Sequence, residues 1–93
     1  MKAYSEEEVK EKLTKFEGWQ YQENAIHTAF EFENFKEAFT IMTRIAFEAE
    51  RLQHHPDWSN VYNRIDITLS THDAGGVTEK DFELAGVIDS LIG

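Results

Sequence analysis

The chain of 93 residues contains no cysteine, so it has no disulfide framework, no thiolate nucleophile and no thiolate metal site. It has one proline, Pro56, and five glycines, of which Gly75-Gly76 is the sole adjacent pair. Both read as punctuation inside one domain; there is no linker, repeat or low-complexity tract. No apolar run approaches the ~18 residues of a membrane span, and the charged stretch Met1 to Lys10 lacks the apolar core of a signal peptide. A cytoplasmic or other soluble setting is expected, with no membrane partner. Basic residues are scarce: nine Lys and Arg stand against 18 Asp and Glu, a net charge of −9. Such a surface repels phosphate backbones, so direct nucleic-acid binding is not expected. The acidic residues are spread along the chain, as ordinary solubilising charge is.

Aromatic side chains are plentiful by contrast. Seven Phe, three Tyr and two Trp each bring a large apolar area. A single domain over residues 1–93 still has a thin core, and subunit association is a natural way to bury more.

Local patterns give the order of elements. Ser5 and Glu8 form a capping box ahead of Val9, Leu13 and Phe16, which predicts a first helix over about 6–16, ended by Gly18. Trp19 and Tyr21 share one strand face. Ile26, Thr28, Phe30 and Phe32 share another, with Glu23-Asn24 between the two runs, which reads as a β-hairpin. Asn34 caps a long helix predicted over about 35–53. Its apolar residues, from Phe35 and Phe39 to Ile45, Ala49 and Leu52, fill an arc of about 160°, with Phe47 outside it. Pro56 disfavours helical geometry at His55, so the helix ends before it. Trp58 to Thr71 alternates, with Val61, Ile65, Ile67 and Leu69 on one parity; Asn63 interrupts the apolar series, leaving one bent strand or two short ones. Thr78 and Asp81 then open a last helix with Leu84, Ala85, Ile88, Leu91 and Ile92 on its buried stripe. Short strands joined by tight turns predict an α+β two-layer domain, an antiparallel sheet with helices on one face.

Three of the four histidines, His54, His55 and His72, follow a helix end or a strand end, where reactive side chains are often placed. Taken alone, His54-His55-Pro56 equally reads as a helix terminus, whose dipole favours a cation. Glu50 lies one helical turn before His54, close enough to approach it. Asp81 has an equally plain reading as a first-turn carboxylate. His27 lies on the polar face of its strand and reads as a surface residue. A metal site made by the three histidines is not expected, because adjacent His54 and His55 diverge and lack the i, i+4 spacing of a helical metal pair.

The spacing Glu50-x3-His54-His55-Pro56-x5-Tyr62-x9-His72-x8-Asp81 resembles the signature of the pterin-4a-carbinolamine dehydratases. The text around it is similar too: Trp58-Ser59-Asn60-Val61-Tyr62-Asn63, Ile67-Thr68-Leu69-Ser70-Thr71-His72, and Met42-Thr43-Arg44 in the second helix. Gln53 replaces an aspartate found in some relatives. The resemblance covers nearly the whole chain. It implies a four-stranded antiparallel sheet with three helices on one face, in the order α-β-β-α-β-β-α, and so splits the Trp58 to Thr71 region into two strands. It implies a hydro-lyase that converts 4a-hydroxytetrahydropterin to quinonoid dihydropterin, recycling the cofactor of aromatic amino acid hydroxylases. His54 and His72 would then be the proton-transfer pair, since imidazole is the side chain whose unperturbed pKa lies near neutrality. His55, Gln53, Ser70, Thr71 and Asp73 would contact the pterin, and Glu50, Trp58 and Asp81 would support the site. No metal or other cofactor is implied. Family members form dimers or tetramers, and animal relatives also act as dimerisation cofactors of a homeodomain transcription factor, an alternative role.

Overall fold

A computed structural model describes residues 2–93. Its elements run α1 (Glu6–Lys12), a 3-10 turn (Leu13–Lys15), β1 (Gln20–Gln22), β2 (Ala25–Glu31), α2 (Phe35–Leu52), β3 (Asp57–Val61), β4 (Arg64–Leu69), a second 3-10 turn (His72–Ala74) and α3 (Glu79–Ile92). The four strands form one antiparallel sheet in the order β1-β2-β4-β3. This is the α+β arrangement that the sequence implied.

Local chemistry explains most boundaries. Ser5 and Glu8 close their capping box, and Asn34 accepts the Glu37 amide at 2.9 Å to start α2. The first helix is shorter than predicted, because its last turn tightens into 3-10 geometry before Gly18 takes φ 91°. Glu23 and Asn24 both have positive φ, so β1 and β2 join through a two-residue turn of the kind that matches strand twist. The second hairpin turns at Tyr62-Asn63, which separates β3 from β4. Asn63 exchanges hydrogen bonds with the backbone of Phe32, so this turn is fastened to the end of β2.

One sheet face is buried. Ile26, Ile65, Ile67 and Leu69 are fully enclosed and meet Val9 of α1, Ala38, Ile45 and Ala49 of α2, and Leu84, Ala85 and Ile88 of α3. Each of the Val, Leu and Ile side chains contributes roughly 1.5–3 kcal/mol by leaving water. Trp19 joins this cluster while its indole N–H donates to Asp89 at 3.0 Å.

Three expectations need correction. Val61 does not share the buried face. A two-residue turn pairs it with Arg64, which puts both on the open face, and Val61 is exposed. Phe35 and Phe39 are exposed as well, because only part of the apolar arc of α2 reaches the sheet. They form a stripe with Phe47, which is 72% exposed; the Phe35 and Phe39 rings lie 5.6 Å apart. His27 lies on the open face, yet its ring is half-buried and bridges Thr68 Oγ1 at 2.9 Å and the Gln22 carbonyl at 3.0 Å.

Candidate active site

The site begins where α2 stops. Gln53 takes a left-handed conformation, φ 53°, and its backbone and side-chain N–H groups fold back onto the carbonyls of the last turn. The His54 amide closes onto the Ala49 carbonyl at 3.0 Å. This sharp exit sends the two histidines apart. His54 turns inward, its side chain only 11% exposed, and its Nε2 lies 2.5 Å from Oδ1 of Asp81. His55 stays outside, with Nε2 2.8 Å from Oε1 of Glu50. Glu50 therefore serves His55, not the i+4 residue His54. The left-handed Gln53 takes residue 54 off the helical face before that contact forms.

Asp81 is fully buried. It closes the capping box of α3, where its Oδ2 accepts the Thr78 amide at 2.8 Å and the Thr71 hydroxyl at 2.9 Å. Thr71 stands in turn 2.8 Å from the Thr78 hydroxyl. A buried carboxylate needs such donors, because an unsatisfied one is costly. Among the described residues no buried side-chain polar atom lacks a partner.

The third imidazole arrives from the sheet. Beyond β4, Ser70 donates to the Asn24 carbonyl at 3.0 Å, which ties this segment to the first hairpin. Thr71 and Gly76 bridge and close a small loop, and Gly75 takes φ 74° within it. His72 begins the 3-10 turn on this loop, exposed, with no ring partner among the described residues.

These elements enclose an open cleft of about 270 Å³ lined by Gln53, His54, His55, Ser70, Thr71, His72, Asp73 and Lys80. All seven residues expected to transfer protons or contact the ligand thus line one cleft. Asp81 and Glu50 stand behind His54 and His55. Trp58 does not line the cleft; it lies on β3 opposite Ile67 and packs against the core. Tyr62 is also remote, in the β3–β4 turn with φ 50°. Lys80 is an addition that the sequence reading missed; its one signal was its place beside Asp81 in the first turn of α3.

A wider cleft of about 680 Å³ lies between the first helical segment and α3, lined by Glu11, Lys12, Phe16, Phe82 and others. It holds no histidine, so the smaller cleft is the one equipped for proton transfer near neutral pH. Among the described residues no group of three His, Cys, Asp or Glu side chains is arranged to hold a metal ion. No helix is long and apolar enough to cross a membrane.

The α+β domain thus gathers three imidazoles at the rim of one cleft. The chain belongs to the family described as Pterin 4 alpha carbinolamine dehydratase, whose pattern it matches over residues 2–91. A protein of Christiangramia forsetii named "Putative pterin-4-alpha-carbinolamine dehydratase" is 64% identical, covering 99% of this chain and 95% of its own length. A Sinorhizobium fredii protein of the same name is 54% identical over 89% of this chain and 81% of its own. The crystal structure of a transcriptional coactivator/pterin dehydratase from Brucella melitensis superposes with a TM-score of 0.95 at 42% identity, covering 98% of this chain and 99% of that one. A pterin dehydratase-like protein identified as a RuBisCO assembly factor in the alpha-carboxysome shares the fold at 20% identity, TM-score 0.68, over 81% of this chain and 87% of its own.

Proposed function

We propose that this protein dehydrates 4a-hydroxytetrahydropterins to quinonoid dihydropterins by histidine acid–base catalysis, and so recycles the cofactor of an aromatic amino acid hydroxylase. The observation that carries the reading is the convergence of His54, His55 and His72 on one cleft within a chain of this family. In the reaction the C4a–O bond breaks, the departing oxygen takes a proton and leaves as water, N5 loses its proton, and a C4a=N5 bond forms. Hydroxide is a poor leaving group, so one acid and one base must act together. His54, largely enclosed, and His72, exposed, fill these two roles. His55 holds the pterin, with Glu50 fixing its ring. Gln53, Ser70 and Asp73 offer polar contacts to a flat heterocycle.

Purified protein should accelerate the dehydration of a synthetic 4a-hydroxytetrahydropterin, followed by absorbance. His54→Ala and His72→Ala should each lose about 10²–10⁴-fold in kcat, the usual contribution of one acid or base. Their circular dichroism should match the parent. A parent protein without effect on the reaction sinks the reading.

The stripe of Phe35, Phe39 and Phe47 supports a homodimer or homotetramer, because exposed apolar patches of this kind mark protein contacts. The same stripe, with the likeness to the coactivator/pterin dehydratase of Brucella, favours a second reading: a dimerisation cofactor of a transcription factor. Affinity capture from a native extract with no transcription-factor partner removes it. The cytoplasm, where a hydroxylase would supply the substrate, is the setting that fits the main reading.

A further inference from the structure

We propose that Thr71 and Thr78 are positioning residues for His54: acting through Asp81, they fix its tautomer so that Nδ1 is the atom that exchanges a proton in the cleft. The inference rests on the reading of His54 as a proton-transfer residue.

Asp81 is wholly enclosed, so its oxygens have only protein partners. Ionised, it accepts hydrogen bonds and donates none. Two donors, the Thr78 amide and the Thr71 hydroxyl, converge on its Oδ2, an arrangement that suits the charged form. The Thr78 amide has one possible direction and donates to Oδ2. The Thr71 hydroxyl, 2.9 Å from the same oxygen, must also donate. Its single proton is then spent. In the 2.8 Å contact between the two threonines, Thr78 is therefore the donor and Thr71 the acceptor. Thr78 Oγ1 in turn receives the Lys80 amide at 3.2 Å. The donors thus run in one sense, from the backbone of α3 through Thr78 and Thr71 to Asp81.

Oδ2 is occupied twice, and Oδ1 faces Nε2 of His54 at 2.5 Å. A carboxylate oxygen there requires a proton on Nε2. Neutral His54 then carries its lone pair on Nδ1, which has no partner among the described residues. Thr71 lines the cleft beside His54, but its hydroxyl proton is committed to Asp81. Its use is to hold the carboxylate in register.

Two measurements test this. Long-range ¹H–¹⁵N spectra of the ¹⁵N-labelled chain report the tautomer of His54 without substrate. The expected result is Nε2–H in the parent, a mixture of tautomers in Thr71→Val, and recovery in Thr71→Ser. In steady-state kinetics Thr71→Val should lose about tenfold in kcat, the worth of one hydrogen bond to a charged group. KM should move by no more than about twofold, since the pterin contacts remain, and Thr71→Ser should restore kcat. A parent protein with the proton on Nδ1 overturns the proposal whatever its activity. So does a Thr71→Val variant whose His54 spectrum and kcat match the parent. Nε2–H in a protein that dehydrates no pterin refutes the proposed function and leaves the tautomer assignment standing.

Discussion

Replacing Asp81 by Asn changes one oxygen to an amide nitrogen and keeps the shape. The Thr78 amide still needs an acceptor, and so does the Thr71 hydroxyl, so the remaining oxygen stays on their side. The new NH₂ group then points at Nε2 of His54. Two donors cannot share that contact, so the imidazole must move its proton to Nδ1. The second N–H of the amide has no acceptor there, because Oδ1 meets only His54, and three hydrogen bonds lose a charged acceptor. A bond to a charged group is worth about 1.5–3 kcal/mol against 0.5–1.5 for a neutral one, and release of a buried charge returns part of the difference. The unpaired buried N–H adds about 1–3 kcal/mol, so a net loss of ~3 kcal/mol follows, which lowers Tm by about 12–24 °C in a domain of this size. The chemical cost is larger, because the ring now presents an N–H to the cleft in place of the Nδ1 lone pair through which His54 exchanges its proton. We expect kcat to fall by about 10²–10⁴-fold. Thermal unfolding by circular dichroism and turnover of 4a-hydroxytetrahydropterin on the same sample separate the two effects. A variant within about 2 °C and threefold of the parent refutes the chain of hydrogen bonds from Thr78 and Thr71 through Asp81 to His54.

Two further outcomes follow from features away from the cleft. Burial raises the Asp89 carboxyl above its ordinary value, and the Trp19 N–H only partly offsets this. The folded state therefore holds the Asp89 proton more tightly than the unfolded chain, so stability declines as pH rises from the ordinary carboxylate range through the raised folded value, then levels off. Asp89→Asn, which still accepts from Trp19, should be at least as stable as the parent in urea at pH 7, with the difference gone by about pH 3; a variant clearly less stable at pH 7 contradicts this. Phe39→Ser with Phe47→Ser should lower the oligomeric state seen by sedimentation without loss of helix content, and an unchanged mass in solution removes the α2 stripe as the contact.

What was legible in the sequence depended on the range of the interaction. Ser5 with Glu8, Asn34 with Glu37, Glu23-Asn24 and Thr78 with Asp81 each act within three or four residues, and each formed as expected. The hairpin parity of Val61 was lost because it depends on where the turn falls, and Asn63 left that open. The exposure of Phe35 and Phe39 was hidden because periodicity reports a helix's apolar arc, not how much of it a sheet covers. Within the site, the histidines were visible from their signature spacing. The contact between His54 and Asp81 spans 27 residues and exists only after α3 docks, so the nearer Glu50 was the natural partner to expect.

The same carboxylate caps the start of one helix and seats one imidazole, so the cleft is complete only when that helix is in place. A substitution that loosens this fourteen-residue helix would therefore unseat His54 as well, although the helix itself brings only Lys80 to the wall of the cleft.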